Sequence, residues 1–272
     1  PQPLQQTDLE VAIPMKCESN HFNLPTPTTT NDSTGEDYAS LEPSTTRGSG
    51  LWDLWTRNFK STFDALLDLI DNSLDAALPQ EDSESESSKG RVKIYRDVWK
   101  SDTTGLCIRN NSIDKIVPLN QSLGHLFHSE KAHSDSKFIG ENGVGLKQAA
   151  ASLSDLTFVL VKNGSNKELS LGIIARALQS GDGCFLPVFQ FNDIDDLEKK
   201  MMQQFTKSKY ISVARCIAEY GKTNADEGPS LQIGIERLCS HFDQICNKFD
   251  NKPYVFEVVL DKIHDRNARA QE

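Results

Sequence analysis

The sequence predicts an α+β sandwich, a mixed and largely antiparallel sheet with helices on one face. Three observations carry that expectation. Short apolar runs of strand character outnumber helical ones, most of them are joined by short turns, and helices punctuate the series. At 272 residues the chain can bury one large core or two small ones. Its apolar content is a modest 37% because both ends and one insertion are polar.

Pro1 to about Gly50 is rich in Pro, Thr, Ser, Asn and Gln and reads as a flexible N-terminal arm, ordered on contact with the fold or a partner. The chain opens on Pro rather than Met, which leads to the expectation of a longer parent protein. A domain is expected over 51–240, with 241–272 as a C-terminal strand and tail or the start of a following domain. Leu51, Trp52, Leu54, Trp55 and Phe59 form an apolar cluster that can dock just before the next helix.

That helix is Asp64 to Leu78, DALLDLIDNSLDAAL. Leu66, Leu67, Ile70, Leu74 and Ala77 fall at helical spacing and face a core. Asp64, Asp68, Asn72 and Asp75 line side-chain oxygens along another face. Ser61, three residues before Asp64, reads as the N-cap, and Pro79 as the stop. Three aligned carboxylates repel one another and favour helix poorly, so this face asks for a use. A magnesium ion with a polyphosphate is the sharp reading, since Mg²⁺ needs only one or two protein oxygens beside phosphates. A solvated helix face is the bland one.

After the acidic, serine-rich loop QEDSESESSKG, Arg91–Val98 and Gly105–Arg109 read as an antiparallel pair followed by a turn at Asn110-Asn111-Ser112. Leu119–Phe127 reads as a short helix. Strands are expected at 156–161, 169–175, 185–191, 230–235 and 254–260, and two helices or one broken helix within 193–220.

Between them lies Gly140-Glu141-Asn142-Gly143-Val144-Gly145-Leu146-Lys147, a glycine loop opening an Ala-rich helix. Its glycines let backbone approach a ligand, and the helix N-terminus favours an anion. It is neither a Rossmann nor a Walker loop, and alone it is ordinary turn chemistry. Paired with the acidic helix upstream, it becomes a candidate phosphate cradle.

The net charge of −10, from 29 basic and 39 acidic residues, argues against strong nucleic-acid or membrane-surface binding by this segment alone. Six cysteines (17, 107, 184, 216, 239, 246) make no CxxC pair, and Cys107 and Cys184 read as core thiols in a reduced, intracellular setting. No apolar run reaches spanning length. His125, His128 and His133 lack a nearby Cys to complete a metal site, and no GxSxG elbow is present.

The helix DLIDNSLDA and the later IGENGVGLK resemble the N-box and second glycine box of the GHKL ATPases, the group of gyrase B, the large heat-shock chaperones, histidine kinases and MutL. The resemblance covers about Leu41 to Ile235, and is most similar to the microrchidia (MORC) ATPases, where a segment like FHSEK also precedes the glycine loop. It implies the Bergerat-type sandwich, ATP and Mg²⁺ as ligand and cofactor, slow hydrolysis, a nucleotide-dependent homodimer, and DNA or chromatin association in the nucleus through other regions. It implies no membrane partner.

Carried over by residue, it makes Asn72 the Mg²⁺ ligand and Asp68 the catalytic base, with Asp75 on the same cofactor-binding face. Gly140, Gly143, Val144, Gly145, Leu146 and Lys147 cradle phosphates, Lys131 lies in the lid, and Ser230, opening a strand, sits near adenine. Two positions depart from the pattern. Asp68 stands where the family keeps Glu, about one methylene short, and Asn110-Asn111-Ser112-Ile113-Asp114 replaces the adenine box DxGxG. Asn110 retains an amide that can pair with adenine. A pseudo-ATPase scaffold for protein interactions is the alternative these departures support.

Overall fold

The computed structural model describes residues 9–10, 48–77, 90–97, 105–111, 118–124, 145–164, 168–179, 184–222, 226–248 and 254–264. Seven strands form one sheet in the order β1-β2-β3-β7-β4-β5-β6, and every neighbouring pair is antiparallel. They are β1 (Leu9–Glu10), β2 (Arg91–Arg96), β3 (Leu106–Asn111), β4 (Leu156–Asn163), β5 (Glu168–Ala175), β6 (Val188–Phe191) and β7 (Val255–Leu260). Leu9 and Glu10 pair with Ile94 and Lys93, so a piece of the N-terminal arm supplies an edge strand.

The last strand is central. β7 pairs with β3 through Cys107–Val259 and with β4 through Phe158–Val259. The sequence boundary at 240/241 is therefore corrected: residues 255–260 complete the same sheet, and residue 241 lies inside a helix. The expected turn at Asn110-Asn111 is corrected as well. Both residues are the end of β3, paired with Phe256 and Val255.

Helices α1 (Gly48–Thr56), α2 (Thr62–Ala77), α3 (Leu119–Gly124) and α4 (Gly145–Leu153) cover one face. Leu51, Trp52 and Trp55 of α1 are buried, as the apolar cluster predicts, whereas Leu54 is 63% exposed. Ala65 and Leu69 of α2 pack with Ala149 and Leu153 of α4 over Ile108 and Val258. The small side chains of Ala149, Ala150 and Ala151 bring α4 down against both the sheet and its neighbours.

The helices on one face are as expected, but a second layer covers the other. It consists of α5 (Leu197–Phe205), α6 (Ile211–Tyr220) and α7 (Leu231–Asp243), with a 3₁₀ turn at Ser208–Tyr210 between the first two. Strand parity sets the division: Phe158 and Leu160 of β4 join the α5–α7 core, while Val159 and Val161 join that of α1, α3 and α4. The continuous apolar run Leu156–Val161 is what a strand buried on both faces requires.

The expected strand at 230–235 is the start of α7. SLQIGI alternates over six residues, but Leu231, Ile235, Leu238 and Phe242 continue with a helical period, and the longer pattern wins. α6 and α7 cross closely at Gly234, where a Cβ would lie 2.0 Å from the Ile217 carbonyl oxygen. Beneath them Arg109 donates to Glu257 through Nε at 2.9 Å, and the His241 Nδ1 lies 3.1 Å from Glu257. Burial pushes Glu257 up, yet the neighbouring His241 and Arg109 charges and hydrogen bonds outweigh it and hold the carboxyl below its usual range.

Candidate nucleotide site

The site forms where α2 meets the start of α4. Ser61 Oγ accepts from the Asp64 N–H at 3.1 Å, the expected cap that sets where α2 begins. From there the polar face runs inward: Asp64 is exposed, Asp68 and Asn72 are half-buried, and Asp75 is buried. Asn72 Nδ2 donates to the Asp68 backbone carbonyl at 2.7 Å and to Asp68 Oδ2 at 3.1 Å. Since the carboxylate only accepts, the Asn72 amide turns its nitrogen to Asp68 and directs Oδ1 elsewhere.

Gly145 closes on this pair from α4. A Cβ there would lie 3.0 Å from Asp68 Oδ2 and 3.5 Å from Asn72 Nδ2. The first free amides of α4 therefore adjoin the carboxylate and the amide of α2, without an intervening side chain. The structure brings together Asp68, Asn72 and Gly145, residues 73 or more positions apart for the helix pair and predicted from separate motifs.

The electrostatics follow from burial and like charge. Burial raises the Asp68 carboxyl, Asp71 raises it further, and the Asn72 hydrogen bond opposes both. Burial and Asp75 raise Asp71 in turn. Lys147, in the first turn of α4, is fully buried. Burial lowers it to about 8, against which Cys184 acts weakly upward. Leu146 packs into the cores on either side of α4, so only its backbone is available to a ligand.

Asn110 lies two residues beyond Ile108 on β3, on the α2 face of the sheet. It is 1% exposed, and its Oδ1 has no hydrogen-bond partner among the described residues. A buried acceptor left open among the described residues is suited to a donor from a bound ligand or water. Asn111, on the opposite face, uses its Oδ1 to accept from the Arg91 N–H.

Ser230 is a correction. It is the N-cap of α7, accepting from the Ile233 N–H at 3.4 Å, and belongs to the second helical layer rather than to a strand beside a base. The hydroxyl is already the cap that a helix start needs. Lys131, Gly140, Gly143 and Val144, with the segment FHSEK, lie outside the described residues. Sequence reasoning passed over Asp71, whose charge acts on Asp68 across one helical turn; its position between two carboxylates at i−3 and i+4 is the signal.

Residues 60–183 match the family model of histidine kinase-, DNA gyrase B- and HSP90-like ATPases. The matched segment runs from α2 through β5, and the α+β sandwich is consistent with the fold of GHKL-type ATPases. The second helical layer and β7 lie beyond the matched segment, although β7 sits within its sheet. No curated protein matches the chain.

Proposed function

We propose that the chain is a magnesium-dependent ATP-binding module that hydrolyses ATP slowly and uses the bound state as a switch. The approach of Gly145 to Asp68 and Asn72 carries this reading, because it sets the start of α4 beside the Asp68 carboxylate and the Asn72 side-chain amide. The open acceptor Asn110 Oδ1 fits the adenine amino group. Asn72 Oδ1 would hold Mg²⁺, which neutralises phosphate charge when bound. The backbone at Gly145, Leu146 and Lys147 would receive the phosphates, and the buried Lys147 ammonium would add charge there.

Asp68 would orient and polarise the attacking water. Its half-buried position and its bond to Asn72 hold it in place, but it is about one methylene shorter than Glu. Misplacement near 1 Å costs on the order of 100-fold in rate, which suits a switch whose closed lifetime matters more than its turnover. By its resemblance to the MORC proteins, we read the switch as a nucleotide-dependent homodimer clamp in the nucleus, acting on DNA or chromatin through other regions. The raised Asp68 carboxyl favours a second reading, a pseudo-ATPase scaffold that binds nucleotide or protein without turnover.

Calorimetric titration with a non-hydrolysable ATP analogue, with and without Mg²⁺, tests the reading. Magnesium-dependent binding that Asn72→Ala weakens is expected; no binding at low millimolar analogue would overturn it. Asp68→Glu then separates the two forms. A rise in turnover on the order of tenfold or more marks a detuned ATPase, and no change marks the scaffold.

A further inference from the structure

A second cluster of donors lies on the other side of the sheet. Asp97 follows β2, Cys107 is in β3 and His241 is in α7; a carboxylate oxygen, Sγ and an imidazole nitrogen of the three lie within 4.8 Å of one another. All are buried, at 1%, 0% and 2% exposure. His241 Nδ1 is 3.1 Å from Glu257 Oε1, and its Nε2 is 3.0 Å from the Tyr220 hydroxyl. Tyr220 also donates to Asp97 Oδ2 at 2.9 Å. The phenol thus lies within hydrogen-bond distance of two of the three donors and is a fourth candidate ligand beside them.

We propose that Asp97, Cys107 and His241 bind a structural zinc-class divalent ion, with the Tyr220 hydroxyl closing the set. A thiolate, an imidazole and a carboxylate form a donor set suited to zinc and poorly suited to Mg²⁺ or Ca²⁺. The corners of a tetrahedral zinc site are roughly 3–4 Å apart, so side-chain adjustments of about an ångström close this one. Glu257 supplies the outer support: accepting from His241 Nδ1–H fixes the tautomer and leaves the Nε2 lone pair for the metal.

Charge balance agrees. The ion and Arg109 together carry as much positive charge as the Cys107 thiolate, Asp97 and Glu257 carry negative, and Arg109 meets Glu257 at 2.7 Å. A buried group of this kind is tolerated when it is paired and neutral overall. On binding, the Cys107 thiol proton leaves to solvent, and no redox change occurs. The ion would join β2 and β3 to α6 and α7, and so fasten the second helical layer to the sheet independently of the nucleotide site.

The test uses the untagged full chain, unfolded with chelator and refolded with or without Zn²⁺, followed by gel filtration and elemental analysis. About one zinc retained per chain is expected, with a higher unfolding temperature than the metal-free protein. Magnesium alone should give neither effect. Refolding with Co²⁺ should produce a thiolate-to-metal charge-transfer band, lost in Cys107→Ser. Zinc occupancy should fall in His241→Gln, and less so in Tyr220→Phe. Failure to retain zinc, a cobalt protein without a thiolate band, or occupancy unchanged in both Cys107→Ser and His241→Gln would overturn the proposal. If the variants do not fold, the wild-type zinc content and cobalt spectrum still decide it.

Discussion

The two faces of the sheet treat polar groups in opposite ways. On the α1–α4 face, Asp71 raises Asp68 and Asp75 raises Asp71, a lysine is buried in the first turn of α4, and Asn110 Oδ1 has no partner among the described residues. On the α5–α7 face, Arg109, Glu257, His241, Tyr220 and Asp97 are linked in one chain of short contacts. A face that crowds like charge is suited to a ligand that offsets it; a face that pairs opposite charges internally is suited to holding the fold. Phe189 of β6 meets both Phe205 and Tyr210 edge-on where the sheet packs on the second layer.

The largest expected effect breaks the paired face. Glu257→Ala strands a buried guanidinium and removes the partner of His241, so denaturant unfolding should show a loss of about 3–5 kcal/mol. Because Arg109 and Glu257 are nearly fully buried, solvent screening does little to reduce that cost.

On the α1–α4 face, the proposed hydrolysis should report Asp68 directly. The carboxyl must be ionised to polarise water, and its value is raised above 3.8, so the acidic limb of the pH–rate profile should lie above the ordinary aspartate position. Asp68→Asn should lower turnover by about 100-fold or more and remove that limb. In stability the sign is opposite. A carboxyl raised on folding is favoured in its protonated form, so its contribution falls as pH rises from 3.8 through the folded value.

Lys147 gives a smaller effect in the alkaline range. Its folded value is lowered from 10.5 to about 8, so burial costs stability below pH 8, and that cost is relieved as pH rises from about 8 to 10.5. Phosphates beside the ammonium would favour its charged form. Nucleotide binding should therefore take up a proton above pH 8 and weaken there by up to about tenfold per pH unit. Isothermal titration in buffers of different ionisation enthalpy measures both; Lys147→Met should abolish the uptake.

The smallest effect sharpens the correction at α7. Ser230→Ala should lose about 1 kcal/mol of stability through the missing cap and leave nucleotide affinity unchanged. A selective loss of nucleotide binding would instead put the hydroxyl back beside the base.

Much of this is legible in the chain. The cap at Ser61, the acidic face of α2, the helix opening at Gly145 and most strands follow from period and turn chemistry, which act over a few residues. The approach of α4 to α2 was foreseeable only as the pairing of two motifs. The distance at Gly145 depends on how the alanines of α4 seat against Ala65 and Leu69.

What tertiary structure alone decided lies farther along the chain. Insertion of β7 between β3 and β4 joins it to residues about 150 positions away in β3 and about 100 away in β4, and no local pattern encodes which strand edge a late strand will choose. The continuous apolar runs of β4 and β5 required cover on both faces, but only packing showed that 197–243 supplies it. Ser230 and Asn110 differ for the same reason. Six residues of alternation fit a strand until a longer helical stripe finds the sheet to pack on. Conversely, an Asn pair that reads as a turn becomes the end of a strand when β7 offers a partner.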